Sequence, residues 1–458
     1  MFITCSTSNT ITGKPVLFVS ENTAQDWRWA AGQEILVVMG LSRYKAKVVP
    51  EMPEHGDCEL LFPENHSLQL RGSHHLTTHF SPTEKTLFLG PVIAVLTDTD
   101  SSGRPSIGQL GPYYEELYQY TIRHGGLFFL TGTSLIDRQR GFFWNEKKGE
   151  WLEGSIPLPD ILYNRIHSRK SDRSELVRQL IIRLEAQDIF VFNTSYLTKD
   201  SVNELLSGED YILEYLPHTE TFTLSSLRRL LGKHNDLFIK HIAGSQGKKL
   251  LRLSYLENDY RLIQNIGGET LQKSFSSFEE TAEELSKLKV SSHFIIQETI
   301  ELLKSEDRAL DFRFLCHLMD HREWKLVSSV ARISGEGQFV SNLAQGGELA
   351  KPMKVLSTIF SRSEAVRIYR LMEELALAVC SRLAENSTLT LGELGVDLGV
   401  DKSGKPWVIE VNSKPSKQTY VETGAIRPSV KTLYQLSKII WEERRASYDQ
   451  TGNFDAGA

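Results

Sequence analysis

Asp397, Glu410 and Asn412 are the residues whose types and spacing point most directly to chemistry. They fall within two short apolar runs, Leu394–Val400 and Pro406–Val411, on either side of Asp401-Lys402-Ser403-Gly404. Apolar runs joined by a polar, glycine-bearing turn predict a β-hairpin. Side chains alternate along a strand, so Glu410 and Asn412 share a face. A turn that closes symmetrically about Lys402 and Ser403 brings Asp397 to that face as well, diagonal to Glu410. Two carboxylates and a carboxamide then converge as hard oxygen donors, the kind that hold Mg²⁺ or Mn²⁺ alongside substrate phosphates. The competing picture is a solvated hairpin with an acidic outer face. Val396, Leu398, Val408 and Val411 favour a largely buried sheet, where clustered carboxylates need a counter-charge.

Four further stretches carry candidate binding groups. Phe238 to Leu253 reads as strand, glycine loop, strand. Gly244 and Gly247 let backbone N–H groups approach an anion and permit positive φ. No Gly-Lys-Ser/Thr opens a helix here, so this is not a P-loop. A plain hairpin with an exposed Lys240 fits the same residues. His293–Glu298 is an apolar strand running into an extended linker, whose backbone groups can meet an adenine edge between Ile295 and Ile300. Leu310–Leu315 alternates as a half-buried strand does, with Asp311 and Arg313 on one face. A salt bridge between those two is the structural alternative. Trp324–Ala331 ends at Arg332 and opens a loop from Gly335 to Gly347 that contains Ser341 and Asn342.

In this order the motifs resemble those of ATP-grasp ligases. With the rest of the chain, the resemblance is nearest to the YheC/YheD-type ATP-grasp proteins of spore-forming bacteria, which are described as spore-coat-associated. It spans about 220–420 for the motifs, and 90–445 more loosely. It implies a multidomain α/β protein, with α+β lobes, that binds ATP with Mg²⁺ or Mn²⁺ between two lobes. Lys240 would contact phosphate beneath a flap formed by Gly244, Ser245, Gln246 and Gly247. Gln297, Glu298 and Ile300 would meet adenine, and Asp311 would lie on the nucleotide side. Asp397, Glu410 and Asn412 would hold metal. Arg332 and Arg313 would face the phosphate or acyl-phosphate, since a guanidinium binds such groups bidentately. Asn342 would line the substrate side. The expected activity is an ATP-dependent carboxylate–amine ligase working through an acyl-phosphate on a small-molecule or peptide acid and an amine. A phosphotransferase on the same fold and a non-catalytic coat protein are the alternatives. One departure stands out: many ligases follow the metal motif with Pro-Gly, whereas Asn412 is followed by Ser413-Lys414-Pro415-Ser416. Lys414 lies in this substrate-side loop, so the substrates of better-known ligases do not transfer.

These residues need elements to position them. The chain has 458 residues, long enough for roughly three domains. Residues 1–88, with apolar runs between turn residues, predict a small β-rich module. Residues 89–215 alternate strand and helix, as a parallel α/β unit does. In it, Asn164, Arg165 and Arg169 stand at a strand end and can face a substrate carboxylate or form structural ion pairs. Residues 216–292 and 293–446 form the two grasp lobes, and 447–458 a flexible tail. Ser363–Leu383 is an amphipathic helix whose apolar stripe is core. Hydrophobic content of 40%, charged content of 24% and a net charge of −6 mark an ordinary globular chain and argue against a sequence-independent nucleic-acid binder. Four dispersed cysteines without a CxxC pair fit reduced thiols in the cytoplasm. The N-terminus lacks a signal-peptide pattern, and no run approaches the length of a membrane span. Oligomeric state is not legible.

Overall fold

The short apolar runs at the start of the chain pair into a closed barrel. Its strands are Phe2–Ser8, Val16–Val19, Glu34–Met39, Ser42–Pro50, Cys58–Pro63, His74–Ser81 and Thr86–Gly90. The computed structural model describes residues 1–54, 56–70, 72–244, 250–266, 269–320, 323–335, 347–417 and 424–451. Alternate barrel residues such as Leu17, Val37, Leu60 and Leu87 are fully buried. Their core continues without a break into Val92, Ala94 and Leu127 of the next sheet, so the barrel is fixed to that unit. All four cysteines are free and buried.

Val92–Leu96, Leu127–Thr131, Ile161–Asn164 and Phe190–Phe192 then form a parallel sheet. The helices Gly111–Arg123 and Glu175–Ala186 make the crossovers that parallel pairing requires. An antiparallel hairpin, Arg140–Asn145 and Glu150–Ser155, extends one edge. The final helix, Pro428–Thr451, returns to this unit rather than staying with the hairpin that precedes it. Its Val430, Leu433 and Ile440 share a core with Ile93, Phe128 and Tyr163. It continues helical through Thr451, past the tail expected from 447, because no helix breaker occurs before Gly452. Residues 452–458 lie outside the described residues.

Two antiparallel sheets make the lobes. The first runs in the order Thr219–Thr221, Phe294–Glu298, Asp236–His241, Leu250–Leu256, Asp259–Ile266, Glu269–Phe275. Helices Leu224–His234 and Phe278–Lys287 cover one of its faces through Leu227, Leu230 and Leu285. The second runs Glu348–Ala350, Glu323–Ile333, Arg308–Asp320, Glu393–Val400, Pro406–Asn412. Behind it lies the long helix Arg362–Asn386, opened by a capping box between Ser361 and Glu364. Its stripe of Ile368, Met372, Leu375, Val379 and Leu383 packs on Phe312, Phe314 and Val396. Leu197, Leu206 and Ile212, from the segment that links the parallel sheet to the lobes, belong to this same core.

Candidate active site

The hairpin Glu393–Val400 and Pro406–Asn412 forms as its alternation predicts, and its turn uses Gly404 at φ +85°. The register differs from the symmetric closure. Leu398 pairs with Val408, but Asp397 pairs with Glu410, so Ile409 is an extra residue in a β-bulge. Asp397 is therefore directly opposite Glu410, not diagonal to it. Gly395 pairs with Asn412, and the Asn412 carboxamide donates to Asp397 Oδ2 at 3.3 Å. A side chain at Gly395 would meet Pro415 at 2.7 Å and Arg313 at 3.2 Å, so this position admits only glycine without displacement.

The counter-charge for Asp397 comes from the adjacent strands. Arg313 is its register partner and donates through Nε and Nη2, the latter at 2.8 Å. Arg332 is the register partner of Asp311, grips it bidentately at 2.5 and 2.7 Å, and also reaches Asp397 at 2.9 Å. Burial alone would raise the Asp397 carboxyl, but the two guanidiniums overcome it and hold the group below the usual carboxylate range. Asp311 and Arg313 share a face, and each bonds across the sheet, Asp311 to Arg332 and Arg313 to Asp397. Among the described residues neither arginine lines the cleft between the lobes or the smaller cavity that adjoins it, and both bond Asp397. Asn342 and the Ser341 loop lie outside the described residues.

Opposite the hairpin, Asp236–His241 and Leu250–Leu256 form the two arms of the glycine hairpin. Gly244 sits at the end of the described arm, and Ser245, Gln246 and Gly247 lie outside the described residues. Lys240 is half-buried and bonds the Gln297 carboxamide. Burial and the nearby Lys199 charge bring its ammonium down to about 8, against the pull of Glu410. Lys240, Gln297, Ile295 and Thr219 line one wall of a cleft of about 480 Å³, and Val408, Ile409 and Glu410 line the other. The bulge lets consecutive residues face this space. Glu298 turns away, accepting from the His218 N–H at 2.7 Å and meeting His234 at 2.9 Å. Ile300 does not line the cleft.

A smaller cavity of about 290 Å³ adjoins it across Glu410, lined by Arg169, Tyr196, Lys199, Asn412 and Lys414 among others. Of the four substrate-side candidates, the structure brings Arg169 and Lys414 here. Asn164 is fully buried and holds Asp172 and Thr194 O, a structural role. Arg165 is also buried and donates to Pro415 O and the Tyr163 hydroxyl. Two functional-looking groups escaped the sequence reading. Lys199 binds Glu410 at 2.5 Å and lines both spaces, brought there across 211 residues. Glu393 is fully buried, bonded to Tyr163 and Lys417, with His317 at 2.5 Å and Arg165 at 3.8 Å. The only signal for it was a carboxylate inside an apolar strand.

The donor set fits a hard divalent cation. Mg²⁺ is usually held by one or two carboxylates plus substrate phosphates, not by a full protein cage. Among the described residues no group of three acidic, histidine or cysteine side chains converges. The Glu410 side chain is 30% exposed and lines both spaces, and Lys199 is its ion-pair partner among the described residues.

Two lobes facing each other across a lysine-lined cleft, with a carboxylate–carboxamide hairpin on the far wall, define an ATP-grasp protein. Residues 188–440 match the family described as YheC/D like ATP-grasp, and the chain belongs to that family. It is 25% identical over 383 residues to "Endospore coat-associated protein YheD" of Bacillus subtilis (strain 168), covering 80% of this chain and 82% of that protein. "Endospore coat-associated protein YheC" of the same strain is 22% identical over 297 residues, covering 62% and 77%. Among solved structures, D-alanyl-alanine synthetase A from Vibrio cholerae O1 biovar eltor str. N16961 aligns at a TM-score of 0.44 and 12% identity, over 77% of this chain and 99% of that one. No helix of the described residues is long and apolar enough to cross a membrane.

Proposed function

We propose that the protein is an Mg²⁺- and ATP-dependent ligase joining a carboxylate to an amine. The observation that carries this reading is Glu410, which is shared by the lysine-lined cleft between the lobes and a second, smaller cavity. In the reaction, a substrate carboxylate oxygen attacks the γ-phosphorus and the bond to the β-phosphate oxygen breaks, giving acyl-phosphate and ADP. An amine then attacks the acyl carbon, phosphate leaves, the C–N bond forms and one proton is released.

Lys240 and Lys199 would bind the phosphate chain, and Gln297 would fix Lys240 while facing the base. Glu410 and Asn412, with Asp397, would hold Mg²⁺, which supplies charge stabilisation for the transferred phosphoryl group. Arg313 and Arg332 keep Asp397 ionised and oriented; they are positioning residues. Asp311 orients Arg332. The names of the two relatives bring an association with the spore coat into the proposal, alongside a small-molecule or peptide acid as substrate.

The test is product identification. The purified chain is incubated with Mg-ATP and a pool of metabolites, and new masses are sought. ADP with a new amide supports the ligase. ADP with a phosphorylated compound replaces it by a phosphotransferase, and no ADP leaves a coat protein without catalysis.

A further inference from the structure

We infer that Arg169 is the docking cation for the substrate carboxylate, which enters from the parallel-sheet unit and meets the nucleotide at Glu410. The inference rests on the ligase reading and adds where the acid binds and what recognises it.

The smaller cavity gathers walls from separate parts of the chain. Arg169 and Tyr196 come from the parallel-sheet unit, Lys199 from the linking segment, and Glu410 to Lys414 from the metal hairpin. Its cations are not equivalent. Lys414 is spent on Asp172 at 2.5 Å, its side chain 1% exposed. Lys199 pairs with Glu410 at 2.5 Å and also lines the cleft, on the phosphate side. Among the described residues Arg169 has no carboxylate within ion-pairing distance. Its guanidinium instead lies over the Tyr196 ring, 4.7 Å from the centroid.

That ring is a fixed platform. Its hydroxyl donates to His167 O at 3.1 Å, its backbone N–H donates to Asp172 at 3.0 Å, and Lys414 faces it at 4.8 Å. A guanidinium stacked on a held aromatic ring loses little freedom on binding and keeps its planar fork for an anion of matching shape. A carboxylate has that shape.

The linings decide which anion belongs here. The adjoining cleft has the Lys240 ammonium and the apolar wall of Leu216, Ile295 and Val408 for a nucleotide, whereas this space offers the stacked Arg169 guanidinium. Because Glu410 belongs to both walls, an acid held by Arg169 lies beside the terminal phosphate. The ligand class is therefore a free carboxylic acid, with the nucleotide's terminal phosphate as the rival source of the same negative charge.

The experiment uses the full chain with Mg²⁺ and a non-hydrolysable ATP analogue, and carbon-13-labelled acetate as the probe, titrated by NMR. Melting temperature with the analogue is read in the same samples. Wild type should bind acetate saturably, Arg169→Ala should weaken it about tenfold or more, and Arg169→Lys should restore part of it. The analogue should shift the melting temperature of all three alike. Acetate binding that ignores Arg169→Ala, or is absent from protein that binds the analogue, overturns the inference. Loss of the analogue's shift in Arg169→Ala overturns it too, by making Arg169 a phosphate ligand. An analogue that shifts no protein removes the nucleotide reading itself.

Discussion

Glu410 and Lys240 face each other across the cleft, and their environments set distinct expectations. Glu410→Gln keeps size and loses charge, so Mg²⁺-dependent ADP formation should fall on the order of a hundredfold. Its partner Lys199 is released to solvent, so melting should change little, since a part-exposed pair contributes about 1 kcal/mol or less. Unchanged turnover in this variant contradicts the assignment. Lys240→Met should weaken the ATP analogue about tenfold to a hundredfold through loss of one charge-assisted contact. Lys240 carries a proton only below about 8, because burial and then Lys199 disfavour its charge more than Glu410 favours it. Analogue affinity should therefore decline as pH rises through that value, and Lys240→Arg should move the decline upward. Calorimetry from pH 6.5 to 9.5 checks both. At this scale the sequence showed the ligand-type residues, because their spacing along one strand is local. It hid Lys199 and the choice among Asn164, Arg165 and Arg169, which only tertiary placement decides.

At the scale of elements, the hairpin was readable from alternation and the turn glycine, whereas its bulge was not. No residue type marks Ile409 as the extra one, and the bulge is what puts Asp397 opposite Glu410. Asp311 and Arg313 show the same limit: a shared face was legible, but their partners lie on neighbouring strands. Gly395 is the element's tightest point. Gly395→Ala drives a methyl into Pro415 and Arg313, so it should cost about 1–3 kcal/mol and disturb Asp397 and the substrate loop together. Turnover should fall while the analogue still shifts melting. A fully active Gly395→Ala protein would show that this approach does not matter to the site.

The whole molecule depends on how the parallel-sheet unit meets the hairpin lobe. The final helix returns to the parallel sheet and Leu197 to Ile212 pack on the lobe, so the structural units interleave where a reading along the chain divides them in sequence. At their junction, Glu393 joins Tyr163 and Arg165 on one side to His317 and Lys417 on the other. Burial raises the Glu393 carboxyl, but Lys417, His317 and Arg165 outweigh it, leaving the group below its ordinary 4.5. Its contribution is complete above that value and is lost as pH falls below it. Burial also lowers His317 from 6.5, so the unfolded chain takes up a proton there that the folded chain resists. Both groups act in one direction on acidification. Melting temperature should decline below about pH 6.5 and more steeply below 4.5, and Glu393→Gln should cost about 3–5 kcal/mol by stranding Lys417. A flat profile between pH 7 and 4 in the wild type rules this out.

The central claim is that the glycine-hairpin lobe and the metal hairpin act on one Mg-nucleotide. It is tested most directly by calorimetric titration of a non-hydrolysable ATP analogue, with Mg²⁺ and with a chelator, into wild type, Lys240→Met and Glu410→Gln. The account predicts one saturable site in the wild type that Mg²⁺ tightens. Lys240→Met should be weaker under both conditions, and Glu410→Gln should lose chiefly the tightening by Mg²⁺. No saturable binding at millimolar analogue, or a Mg²⁺ effect intact in Glu410→Gln, would contradict it.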